Sequence, residues 1–301
     1  MFHHFHGGRH LPSQGSLSAA AFSDMLDWLD ARYNLLGAGE YLRRFESGAL
    51  GPRDICLSFD DGLLCQYDIA VPVLEERNLD AFFFVYSSVI MGLPNNLEIY
   101  RHFRTHGFRD IDEFYAEFFA LAEDVLKSDL SRHRRAFEEA DYLREFPFYT
   151  ESDKWFRYLR DQVLGPERYD EIMTALMERK AFSPQDVMAD LWMSESHLKD
   201  LAARGHIVGL HSFSHPTKIS RLDYDQQYAE YRKNYDHLTS VVGSVSAMSH
   251  PCGDYNDDTL KILAALGIRI GFRSNMSRLR AGGPFEVPRE DHANIVRAMN
   301  G

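Results

Sequence analysis

The sequence predicts an α/β fold: a mainly parallel sheet of about seven strands, able to close into a barrel, carrying a large helical insertion. Three observations predict it. Short β-rich runs alternate with amphipathic helical patterns, as strand–helix–strand units require. From about Gly92 to Asp190 this alternation stops and only helical stripes follow. Finally, acids and histidines stand directly after apolar runs, where parallel α/β folds form their ligand crevices.

The strand candidates are Phe2–Phe5, Ile55–Phe59, Ala81–Tyr86, His206–Leu210, Val245–Ser249, Ile268–Phe272 and Glu286–Pro288. Between them, Leu17–Tyr33 places Phe22, Met25, Leu26 and Leu29 at helical spacing, with Ser18 as N-cap. Tyr67–Arg77, Glu195–Ala203 (ended by Gly205), Asp225–Val242 and Asp257–Leu266 (ended by Gly267) read as further helices. In the insertion, Ile111, Phe114, Tyr115, Phe118, Phe119 and Ala122 form one stripe; Tyr169, Ile172, Met173, Leu176 and Met177 form another. Ser183–Pro184 suits the start of a third helix. Residues 1–91 and 191–301 are thus assigned to the barrel. Residues 92–190 are assigned to a helical insertion packed on it, a possible substrate-specificity cap.

The chain has 301 residues, 45% of them apolar, and a formal charge of -12. It can bury a large core, and its acidic surface disfavours nucleic acid and anionic membrane as partners. No apolar run reaches the roughly 18 residues of a spanning helix. The opening MFHHFHGG has neither the basic nor the apolar region of an export signal, and Cys56, Cys65 and Cys252 lack metal-type spacing. These features give a cytoplasmic expectation.

Two motifs carry chemistry. LSFDDG (57–62) sets Asp60 and Asp61 at a strand end, before a glycine that permits a sharp turn. Alone it also reads as a common acidic turn. GHIVGLHSFSHP (205–216) sets His211 and His215 four apart, one helical turn, so that both rings can reach one ion. Satisfied surface or core histidines are the alternative. Taken together, two imidazoles and one carboxylate make a catalytic metal set with a coordination position open, and a second acid remains to handle protons.

LSFDDG resembles the first motif of the polysaccharide deacetylase family (NodB-homology, chitin-deacetylase-like esterases). HSFSHP resembles the second and SHPCGDYND the third, over roughly residues 1–90 and 190–295. The resemblance implies a distorted (β/α) barrel of about seven strands. It implies Asp60 as general base and Asp61, His211 and His215 as ligands of a divalent metal, most often zinc. It also implies the backbone N–H of Cys252 as an oxyanion donor; a small buried residue in a turn is the other reading of Cys252.

The sequence departs from the family pattern in two places. Ser249 stands where an arginine often orients the base, and Arg289 of EVPREDH is expected to supply that function by pairing with Asp60; an exposed salt bridge is the alternative. The late Leu-x-His motif of the general acid is absent, leaving His292 as first candidate and His250 as second, each with an ordinary loop histidine as alternative. His3 or His4 would lie near the barrel mouth, with no ligand role assigned.

The implied activity is removal of an N-acetyl group from an acetamido sugar, nucleotide- or lipid-linked, in surface polysaccharide (O-antigen/LPS) biosynthesis. Arg101, His102, Arg104, His106 and Arg109, with Arg132, His133, Arg134 and Arg135, would meet a diphosphate, or form a solvated helix face. The competing readings are an amidase or deformylase on a non-acetyl amide, and a catalytically degenerate glycan-binding protein.

Overall fold

A computed structural model of the chain describes residues 1–143, 149–277 and 282–300. The chain divides into two compact units, Met1–Asn95 with Ala189–Gly301, and Asn96–Met188.

The first unit is built on strands β1 (Asn34–Leu35), β2 (Asp54–Ile55), β3 (Ser58–Phe59), β4 (Phe82–Val85), β5 (Ile207–Leu210), β6 (Ala247–Ser249) and β7 (Ile270–Phe272). β3 to β7 pair in sequence order into one five-stranded parallel sheet, while β1 and β2 form a separate parallel pair. The expected parallel, barrel-like α/β sheet is present, but among the described residues five strands rather than about seven pair in it. The run Ile55–Phe59 splits, its start pairing with β1 and its end entering the sheet as β3. The runs at Phe2–Phe5 and Glu286–Pro288 contribute one parallel bridge each to the main sheet, Phe2 to Phe59 and Val287 to Phe272. Pro288 has no N–H to continue the last ladder, and Phe5 bridges Leu17 instead of the sheet. The sheet curls until its two edge segments meet: the His292 N–H donates to the Met1 carbonyl, 3.2 Å.

Helices lie between the strands at α1 (Ala19–Asp30), α2 (Ala38–Glu46) and α3 (Val71–Glu76). Ser18 caps α1, its hydroxyl accepting from the Ala21 N–H. The predicted helix Tyr67–Arg77 begins as a π-helical segment, Gln66–Ala70, because Pro72 cannot donate to the preceding turn. Both faces of β4 are buried, as a central parallel strand demands. On one face Phe82 and Phe84 pack with Tyr41, Ala247 and Phe272. On the other, Phe83 stacks on Phe59 at 4.7 Å between ring centroids, and Phe59 meets Phe2, Phe5 and Phe22.

The second unit holds α4 (Asn96–His106), α5 (Ile111–Leu126), α6 (Leu130–Ala140), α7 (Glu151–Tyr158), α8 (Gly165–Arg179) and most of α9 (Pro184–Leu191). Phe114, Tyr115, Phe118 and Ala122 of the first predicted stripe are buried; Ile111, at the first turn of α5, is exposed instead. The second stripe buries Ile172, Met173, Leu176 and Met177. Back in the first unit, α10 (Glu195–Ala203), α11 (Tyr224–Val242), α12 (Asp257–Ala265) and α13 (His292–Met299) complete the chain.

Phe59 is fully buried and touches four aromatic rings. Phe59→Ala is expected to destabilise the first unit by about 3–5 kcal/mol, read from the denaturant midpoint by tryptophan fluorescence.

Candidate active site

β3 ends at Phe59, and the acids follow at once. The Asp60 N–H still bonds to the Phe2 carbonyl, 3.1 Å, and holds the strand direction. Asp61 (φ 77°) and Gly62 (φ 61°) then both take left-handed conformations and turn the chain back. A Cβ on Gly62 would come within 3.1 Å of Val85 Cγ1, so the turn packs tightly on β4. The turn sends the adjacent carboxylates to different partners.

Asp60 is buried against Arg289. Arg289 Nη1 donates to Asp60 Oδ1 and Nη2 to Oδ2, both at 2.7 Å. Its remaining donors reach Ser58 Oγ, Ser249 Oγ and the Arg273 carbonyl, so all five guanidinium N–H groups find acceptors. Ser249, where the family pattern has an arginine, leaves room for this guanidinium and itself donates to Asp60 Oδ2 at 3.2 Å. Burial raises the Asp60 carboxyl, but the charges of Arg289 and His211 outweigh it and hold the group well below the usual range.

Asp61 turns the other way. Its Oδ1 lies 3.4 Å from both His211 Nε2 and His215 Nε2. The three ligand atoms fall within 4.8 Å of one another, and all three residues are buried. The helical-turn explanation for the histidine spacing is corrected: His211 and His215 lie in a loop after β5. Left-handed conformations at Ser212 (φ 61°) and His215 (φ 57°) fold that loop until the rings stand 4.8 Å apart. Glu230 of α11 pins it, accepting from the Phe213 and Ser214 N–H groups and the Ser214 hydroxyl. The His211 Nδ1–H donates to the Ser249 carbonyl, 2.8 Å, which leaves the Nε2 lone pair facing Asp61. Asn234, fully buried, accepts from the His211 N–H and donates to Val85 O and Ser87 Oγ. Sequence reading missed Asn234 and Glu230; an Asn and a Glu on an amphipathic helix carry no signal of their own.

Cys252 sits in a 3-10 turn, Pro251–Gly253, at φ 53°. The turn's bonds come from the Gly253 and Asp254 N–H groups, so the Cys252 N–H stands outside them. Its side chain is exposed, which corrects the small-buried-residue reading.

His250 is buried, stacked 4.1 Å from Tyr255, with Nε2–H donating to the Phe285 carbonyl. Burial drives its pKa down to about 4, so it holds no proton to give at neutral pH. His292 opens α13, its Nε2–H donating to the Gly15 carbonyl and its ring stacked on Phe2. Among the described residues it makes no contact with Asp60, Asp61, His211 or His215. His3, by contrast, acts electrostatically on both Asp60 and Asp61. Gln66, fully buried, ties it there by donating to the carbonyls of His3 and Asp60, 2.9 and 2.6 Å.

Three of the arginines expected to meet a diphosphate pair with acids inside the second unit. Arg109 pairs with Asp110, Arg132 with Asp129, and Arg134 with Glu138 and Glu151.

Residues 163–271 match the family model described as polysaccharide deacetylase. Those residues include both histidines and the Cys252 turn but not Asp60, Asp61 or Arg289. No curated protein matches the chain. Among solved structures, the Streptococcus pyogenes deacetylase PplD in complex with acetate is similar at a TM-score of 0.56 and 16% identity, over 99% of this chain and 96% of that one. IcaB from Ammonifex degensii gives 0.55 and 16%, over 99% and 93%. The BpsB deacetylase domain from Bordetella bronchiseptica gives 0.52 and 14%, over 95% and 92%. At such identities the shared property is the fold.

Two outcomes follow from the geometry. Arg289→Ala strands a buried carboxylate and is expected to destabilise the protein by about 3–5 kcal/mol in urea denaturation; Arg289→Lys recovers only part of this, lacking the two-pronged fork. His250, near 6.5 when unfolded and about 4 when folded, contributes stability that is complete above pH 6.5 and lost as pH falls towards 4. His250→Gln should therefore flatten the fall in urea midpoint between pH 7 and pH 4 relative to wild type.

Proposed function

We propose that the chain is a polysaccharide deacetylase, a reading supported by the family match over residues 163–271, and that it hydrolyses an N-acetyl group from an acetamido sugar with the help of a divalent cation, releasing acetate and a free amine. One observation carries the reading: Asp61 Oδ1 is buried, has no hydrogen-bond partner, and faces the Nε2 atoms of two histidines. A carboxylate oxygen left bare in the interior is costly unless a cation meets it.

The donor set, one carboxylate and two imidazoles, suits zinc, which Asp61, His211 and His215 would hold. When bound, such an ion supplies a Lewis acid that polarises the amide carbonyl and acidifies water. Asp60, kept ionised by Arg289, accepts the proton of the attacking water; its Oδ2 lies 4.0 Å from His211 Nε2, beside the ligand set. The Cys252 N–H donates to the developing oxyanion. In place of His292 and His250 we assign protonation of the leaving amine to His3, the half-buried histidine whose backbone Gln66 ties to that of Asp60.

The finer part of the proposal is a nucleotide- or lipid-linked substrate in surface polysaccharide assembly. Its support is Arg104 and Arg157 of the second unit, each with a buried Nε that has no hydrogen-bond partner.

The test is acetate release from a panel of free and nucleotide-linked acetamido sugars. Release should stop on chelation and return with zinc. Asp60→Asn should lower turnover by about 10²–10⁴-fold with bound metal retained, and Asp61→Ala should lose both. His3→Gln should slow turnover more than His292→Gln. Acetate release that survives chelation, or metal binding that survives Asp61→Ala, refutes the reading.

A further inference from the structure

A second group of charges lies inside the helical unit. Arg104 of α4 rests between rings, its guanidinium 5.2 Å from the Phe156 centroid and 6.0 Å from that of Phe114. Its Nε is shut off from solvent and has no hydrogen-bond partner. Arg157 of α7 lies 4.1 Å over the Tyr149 ring, and its Nε is likewise enclosed and unpartnered. Among the described residues neither pairs with a carboxylate, whereas Arg109, Arg132, Arg134 and Arg160 each do.

The two cations share surroundings: Phe156, which Arg104 faces, directly precedes Arg157 on α7 and lies 5.7 Å from the Tyr115 ring, and both charges act on the Tyr115 hydroxyl. The buried acid of the cluster, Asp153, is already engaged: Oδ1 accepts from the Tyr115 hydroxyl, and Oδ2 from the Thr150 N–H and hydroxyl. Burial holds Arg104 below the usual arginine range. Aromatic faces soften a buried positive charge but offer no acceptor in line with the N–H groups. Such an arrangement is stable when an anion supplies the missing acceptors. Two guanidinium groups match a doubly charged, many-oxygened anion better than a single carboxylate.

We propose that Arg104 and Arg157 form a seat for a phosphate-type oxyanion, whose oxygens accept from the two stranded Nε–H groups. The anion is either free phosphate or the phosphate of a larger molecule. In the second case the seat belongs to the proposed substrate class, and only that identification rests on the deacetylase reading.

Inorganic pyrophosphate and uridine diphosphate, titrated calorimetrically at fixed ionic strength, test the seat. Wild type should bind saturably, and Arg104→Met or Arg157→Met should bind at least about tenfold more weakly. Should Arg104→Met not fold, Arg104→Lys serves, with the same tenfold loss expected from its missing fork. Asp61→Ala should bind as wild type, which separates this seat from chelation at the catalytic cluster and from failure of the catalytic reading. Tighter binding of uridine diphosphate than of pyrophosphate identifies a nucleotide; equal binding identifies the free anion. No saturable binding by wild type, or undiminished binding by the arginine variants, overturns the proposal.

Discussion

Two carboxylates adjacent in sequence are buried together, and neither tolerates burial alone. That constraint organises the first unit. Asp60 is matched by a guanidinium whose every donor is used. Asp61 faces two imidazoles. The carboxylates are kept apart by two consecutive left-handed residues, and a normal strand continuation would have alternated them across the sheet. The strain of φ 77° at a non-glycine residue is thus the condition for giving neighbouring acids separate tasks.

The same economy appears around the loop that follows β5. His211 and His215 are presented by backbone left-handed at two non-glycine positions, Ser212 and His215. Glu230 and Asn234, one helical turn apart on α11, hold its amides. Four non-glycine residues around the cluster, Asp61, Ser212, His215 and Cys252, share this conformation. A site so over-determined is pre-organised, with little rearrangement left for the reacting state.

Much of this was legible in the sequence where chemistry is local. An acid pair at a strand end, two histidines after an apolar run and an arginine after the last run marked the residues that meet. The helix boundaries with clear caps, such as Ser18 and Gly205, were equally readable. What escaped depends on contacts between distant segments. Strand length is set by which partner offers its ladder, so Phe2–Phe5 and Glu286–Pro288 shrank to single bridges. The general-acid reading favoured His292 because it follows the last run, but its ring turns to Gly15 and Phe2. The signal for His3 was present in HHFHGG, yet only the pairing of that segment with β3 brings it beside Asp60. Unpaired arginines inside a helical core leave no trace in sequence, since paired and unpaired arginines look alike until folded.

The seam where the two edge segments of the sheet meet has a temporal consequence. Arg289 arrives on the segment that docks beside Met1, more than two hundred residues after the acid it neutralises. On the ribosome, Asp61, His211 and His215 are therefore all synthesised before Asp60 has its counter-ion. Until that segment leaves the exit tunnel, Asp60 has no guanidinium to keep it ionised in a closed interior.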